Sequence, residues 1–215
     1  MALTPASQAE AIMLMTRLLS ASLFCGCMLS GAQAATAWDE AVSGDLANVG
    51  AAPTAVSFGL GSNVIRGATG RNGAGVVDRD YFTFTVAPGW QLATLSVLSG
   101  STFLGGAGAS FIAMQVGPVM TVNPESGSAT GLLGWWLYNE NDIGNDILQQ
   151  MGSSPGAVGY TGTLRAGTYT VWVQETGTGV AAYGFDFAVT EVPEPASALL
   201  MLAGVAGLAL GLRRR

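Results

Sequence analysis

Apolar and polar residues alternate with period two along several short stretches of this chain. From Tyr81 to Val86 the residues Phe82, Phe84 and Val86 fall on one face, and Tyr81, Thr83 and Thr85 on the other. The same parity separates Tyr169, Val171 and Val173 from Thr170, Trp172 and Gln174. It places Tyr183, Phe185, Phe187 and Val189 on one face of a last strand. Successive strand side chains point to opposite sides of a sheet, so each run predicts a strand with one buried face. Gln91–Leu98, Phe111–Val116 and Leu133–Tyr138 are further strand candidates, and Ala55–Leu60 and Val158–Leu164 are weaker ones. Ala87-Pro88-Gly89 and Arg165-Ala166-Gly167 carry turn chemistry and are expected to separate runs. A short helix is expected within Ile143–Met151, kept brief by Gly144 and Gly152. Many short strands with such spacing predict an all-β domain of the jelly-roll-like β-sandwich type.

Both ends of the chain break this pattern. Arg17 precedes an apolar run from Leu18 to Leu29, and Ala32-Gln33-Ala34 follows it. A positive charge, a short apolar stretch and an A-x-A site are the layout of a secretory signal peptide cleaved after Ala34. At the other end, Val192-Pro193-Glu194-Pro195 leads into an uncharged run from Ala196 to Leu212, closed by Arg213, Arg214 and Arg215. As a helix the run would span roughly 25 Å, close to the hydrocarbon thickness of a bilayer. The terminal arginines are expected to stay cytoplasmic and act as a stop-transfer signal. The expected organisation is a signal peptide over 1–34, an N-terminal part of the exported region over 35–76, a β-sandwich domain over 77–191, and a tail with a transmembrane helix over 192–215.

The tail resembles the PEP-CTERM sorting signal of Gram-negative bacteria, carried by Val192, Pro193, Glu194 and Pro195, the apolar run and the basic cluster. That resemblance implies export through the Sec translocon and a transient anchor in the inner membrane. It also implies processing by an exosortase, and delivery to the cell surface or an extracellular polysaccharide matrix. Val77-Asp78-Arg79-Asp80-Tyr81-Phe82-Thr83-Phe84-Thr85-Val86 followed by Pro88-Gly89, together with Leu164–Val173 and Tyr183–Val189, is similar to the bacterial pre-peptidase C-terminal domain. This second resemblance implies a small jelly-roll-like sandwich and an accessory role beside secreted hydrolases. The segments 100–108 and 118–131 depart from it as insertions.

Composition narrows the chemistry. The chain has no histidine, and its two cysteines, Cys25 and Cys27, lie inside the signal run. Residues 35–191 also hold no lysine, so the usual nucleophile–base pairs are missing and no catalytic residue is expected. Four arginines stand there against twelve acids, a net charge of −8, which disfavours nucleic acid as a partner. No cofactor is expected apart from a candidate calcium ion, because only hard oxygen ligands are on offer. Its candidate ligands are Asp78 and Asp80 and the cluster Asn141, Asp142 and Asp146. A solvated Asx-rich loop accounts for the same cluster without an ion. Trp136, Tyr138 and Trp172 form a candidate platform for stacking on sugars, if their faces are exposed. The expected function is a non-enzymatic structural or adhesive role in exopolysaccharide or biofilm. A carbohydrate-binding module and an accessory domain of a secreted hydrolase system are the alternatives.

Overall fold

The computed structural model describes residues 34–71, 76–105 and 108–193. Eight strands form one sheet: β1 (Ala35–Asp39), β2 (Thr54–Ala55), β3 (Gly61–Arg71), β4 (Val77–Val97), β5 (Ala109–Val116), β6 (Gly134–Asn139), β7 (Leu164–Glu175) and β8 (Gly179–Glu191). Two short helices, α1 (Glu40–Ser43) and α2 (Leu148–Gly152), and a 3-10 turn at Glu140–Asp142 complete the described residues. The strand order is β1-β3-β8-β4-β7-β5-β6, with β2 added alongside β4. The sheet is mixed, because β1–β3 and β2–β4 run parallel while the other pairs are antiparallel.

The strand β4 makes the architecture. Its first half, Arg79–Val86, pairs with β7, and its second half, Trp90–Val97, pairs with β8. Between them the register breaks at Val86/Gln91, where Pro88 has no N–H to donate and Gly89 takes φ 82°. A proline in a sheet is tolerated at such a break, and glycine is the residue that adopts positive φ without strain. The turn expected to end a strand is therefore a corner inside one long strand. The sheet curls strongly around it into a half-barrel. The domain is mainly β as expected, but in place of the two layers of a jelly-roll-like sandwich the strands form one strongly curled mixed sheet.

The concave side holds the core. Phe82 and Phe84 on β4 meet Phe187 on β8, with ring centroids 5.8 and 5.6 Å apart. Phe185 on β8 meets Tyr138 on β6 at 5.1 Å. All five rings are almost wholly buried. Each such ring stabilises the fold by roughly 2–3 kcal/mol through its lost water contact.

Other elements differ from the sequence reading for identifiable reasons. β3 pairs with β8 over eleven positions, although Gly61, Gly67 and Gly70 hide its strand character from a propensity reading. β1, β2 and β3, from the N-terminal part of the exported region, thus share a sheet with the strands of 77–191. Arg165-Ala166-Gly167 lies within β7 and does not interrupt it. Of the weaker strand at Ala55–Leu60 only Ala55 joins a strand, as the last residue of β2, and of Val158–Leu164 only Leu164 does. Among the described residues no helix is long and apolar enough to cross a membrane. The signal run Leu18–Leu29, Ala32 of the cleavage site, Glu194 and Pro195, the apolar run Ala196–Leu212 and the arginines 213–215 lie outside the described residues.

Candidate functional site

Two places on this scaffold carry chemistry, an aromatic cleft on the convex face of the sheet and an acidic cluster beside α1.

The cleft grows from strand register. Tyr81 on β4 lies opposite Trp172 on β7, Trp172 opposite Ala113 on β5, and Ala113 opposite Trp135 on β6. Large rings therefore line up across four strands on the face away from the core. Tyr81 stacks on Trp172 at 6.0 Å, Phe111 meets Trp172 at 4.7 Å, and Phe111 stacks on Trp135 at 6.2 Å. The loop between β5 and β6 folds over this row. Met120 N–H donates to Gly50 O at 2.8 Å, Leu133 N–H donates to Met114 O at 2.7 Å, and Glu125 pairs with Arg79. Arg79 is held in turn by its Nε, which donates to Gln174 Oε1 at 2.6 Å.

Between loop and rings lies a cavity of about 270 Å³. Phe111, Trp135, Trp172, Pro124 and Leu132 form its apolar walls, and Asn123, Ser128, Gln174 and Thr176 supply polar groups at its edge. Trp135 is half-buried, and its Nε1 donates to Pro155 O at 3.0 Å, which fixes the ring plane. Trp172 is 6 % exposed, and its Nε1 is buried without an acceptor.

The acidic cluster brings together Glu40, Asp45 and Asp80, with one oxygen of each within 4.8 Å of the others. α1 starts after Asp39, whose carboxylate accepts Ala41 N–H as its N-cap. Glu40 is the first residue of that helix and turns back over the sheet. Its Oε1 accepts Leu46 N–H at 3.1 Å and its Oε2 accepts Ala68 N–H at 2.8 Å. Asp80 sits on β4 with no exposed surface, and neither of its oxygens has a hydrogen-bond partner. The Tyr183 hydroxyl of β8, also buried and unpartnered, approaches the same carboxyl. Burial first, and the charge of Glu40 second, push Asp80 up to about 9. Burial likewise raises Glu40, against the pull of its two backbone donors, and lifts Tyr183 well above the ordinary phenol range. A Cβ at Gly67 would lie 2.5 Å from Tyr183 Oη and 2.7 Å from Glu40 Cδ, so only glycine lets these two groups close over β3.

The structure regroups the residues singled out in the sequence. Tyr138 is 1 % exposed and belongs to the core, so it offers no face to a ligand. Trp136 is half-buried against that same core, on the side opposite Trp135. Of the proposed platform only Trp172 reaches the cleft, and its partners there are Phe111 and Trp135. Asp142 and Asp146 are occupied as caps. Asp142 Oδ2 accepts Asn139 N–H at 2.9 Å and Trp136 Nε1–H at 3.4 Å, while Asp146 Oδ1 accepts the N–H groups of Leu95 and Leu148. Asn141 is exposed, and its Nδ2 donates to Asn139 Oδ1. Asp80 belongs to the other cluster, Asp78 is not one of its three acids, and neither joins Asn141, Asp142 and Asp146. Asp78 is half-buried, and desolvation followed by the charge of Asp45 raises its pKa. Ala34, Val192 and Pro193 are exposed at the ends of the described segment.

The described residues define a mainly β-domain, and the remainder of the sequence follows its last strand as a tail. A family described as the PEP-CTERM protein-sorting motif matches residues 191–215. The motif implies an exported protein that is processed by an exosortase and sorted through its C-terminus to the cell surface. No curated protein and no solved structure matches the chain, and nothing in the comparisons supports the likeness to the pre-peptidase C-terminal domain.

Proposed function

We propose that the chain is a non-enzymatic, surface-sorted protein whose β-domain binds extracellular polysaccharide. The observation that carries this reading is the cleft: three aromatic rings form its walls and four hydrogen-bonding side chains line its edge. Sugar rings present apolar C–H faces and polar edges, and pockets for them join stacking surfaces with a few polar groups. The sorting motif supports a location where such polymers are the surrounding material. The absence of histidine, lysine and cysteine from residues 35–191 supports a binding role over catalysis. In this reading the Sec translocon exports the chain, its tail holds it transiently in the inner membrane, and exosortase processing releases it into a matrix role.

A glycan array probed with the exported protein tests this reading. Trp135→Ala is expected to lower affinity for the glycans bound by at least tenfold, and Trp136→Ala to leave it unchanged. Absence of binding to any array glycan, or equal loss in both variants, overturns the assignment of the cleft. Intact-mass measurement of the mature protein tests the sorting step, and a terminus at Arg215 would contradict tail removal.

A further inference from the structure

We propose that Glu40, Asp45, Asp80 and the Tyr183 hydroxyl form a binding site for one divalent cation with the ligand preferences of calcium. Three separated parts of the chain meet there: α1 with the loop directly after it, β4 and β8. The three carboxylate oxygens lie within 4.8 Å of one another. Oxygens bound to one calcium ion at about 2.4 Å stand at most about 4.8 Å apart, so the spacing of the three allows a shared ion.

Two orphaned groups point to a ligand independently of the clustered charge. Asp80 is fully buried, with neither oxygen partnered, and Tyr183 is 3 % exposed with its hydroxyl unpartnered. Buried polar groups in folded proteins nearly always find a partner, and each exception asks for an unseen one. These two stand on neighbouring parts of the sheet and face the same space. The charged groups acting on Asp80 are Glu40, Asp78 and Asp45, all of one sign. A cation satisfies them all at once.

The donor set selects the ion. All the ligands are oxygens, which suits hard cations and excludes those that need nitrogen or sulfur. Glu40 is already fixed by two backbone donors, and a carboxylate oxygen has a second lone pair left for a metal. Asp45 is exposed, so water can enter and complete a coordination shell of six to eight. The irregular arrangement favours calcium over magnesium, which demands near-octahedral geometry at shorter distances. Sites of this kind in extracellular modules bind at about 10⁻⁴–10⁻³ M, a range suited to an exported protein. The ion would fasten α1 and the loop behind it to β4. This inference is independent of glycan binding.

The competing account is a proton on Asp80 shared with Glu40, with no ion involved. Calorimetric titration of chelator-treated full-length protein in detergent with calcium chloride separates the two. One equivalent is expected to bind, and the thermal midpoint is expected to rise in calcium relative to EDTA. Asp45→Asn, a change at an exposed position that leaves the core untouched, is expected to weaken calcium binding at least tenfold. Asp80→Asn is expected to abolish it, and Tyr183→Phe to weaken it less than Asp45→Asn. An equal midpoint in calcium and EDTA, Asp45→Asn titrating like the unaltered protein, or an equal response to magnesium would overturn the proposal.

Discussion

Two carboxylates in this domain are almost completely buried, and their surroundings are opposite. Glu175 ends β7 with 3 % of its surface exposed. Its Oε2 accepts Ser110 Oγ–H at 2.7 Å and Leu104 N–H at 3.2 Å, and its Oε1 accepts Gly177 N–H at 2.7 Å. Asp80 on the adjacent strand β4 receives no backbone donor, has only the Tyr183 hydroxyl near it as a counterpart, and otherwise faces other acids. Glu175 is therefore a finished structural device, which ties the turn between β7 and β8 to β5 and to the residues after β4. Asp80 is an incomplete one. Burying a carboxylate is costly unless donors or a cation replace its water. The contrast shows that burial alone does not mark a binding site, whereas burial without partners does.

Breaking the finished device should have the largest effect. Glu175→Ala strands three donors, of which Ser110 Oγ is buried and the other two are partly so, and is expected to cost about 3 kcal/mol, read as a lower midpoint in urea unfolding. The same kind of change at the other carboxylate should act in the opposite direction. In EDTA at pH 8, Asp80→Asn is expected to raise stability by roughly 1–3 kcal/mol, because the amide carries no charge and needs no proton uptake on folding.

A pH series sharpens the difference between the two sites. Asp80 titrates at an ordinary value of 3.8 in the unfolded chain and at about 9 in the fold, where Glu40, Asp45, Asp78 and Tyr183 surround it. Between these values the unfolded state holds fewer protons than the folded one. Stability in EDTA is then expected to be highest near pH 4 and to fall as the pH rises toward 9. Glu40 and Asp78, also raised, add to the same slope. Urea midpoints measured across that range check this, and Asp80→Asn should flatten the curve. The smallest effect belongs to the third orphan, Trp172 Nε1. Trp172→Phe removes the unpaired N–H while keeping a ring against Phe111 and Tyr81, and is expected to cost less than about 1.5 kcal/mol.

The fold was partly legible in the sequence. The alternation puts Phe82, Phe84 and Val86 together on one face and Tyr183, Phe185, Phe187 and Val189 on the core face of a last strand, and the structure buries both sets. Parity alone, however, divides a strand into two faces without saying which is wet. Trp136 and Tyr138 were correctly separated from Trp135 and Leu137, but β6 turns the first pair inward. Trp172 was placed on a polar face, and the loop between β5 and β6 covers that face and buries it. The residues of the cleft other than Trp172 therefore had no local signal. Phe111 and Trp135 become neighbours of Trp172 only through the order β6-β5-β7. The acidic cluster was hidden for a similar reason. In the sequence Asp80 stands two residues from Asp78, whereas Glu40 and Asp45 reach it from a distant part of the chain, on and just after a helix of four residues.

The position of β8 has a mechanical consequence. It lies between β3 and β4, bonded along both edges, and its last residue leads directly to the sorting segment, where Val192 N–H donates to Gly89 O at 2.8 Å. Any tension arriving through the tether enters an interior strand and spreads over two ladders in parallel. A surface protein hauled by its attachment point would then yield only when both rows of bonds slide together, and would not unzip from an edge.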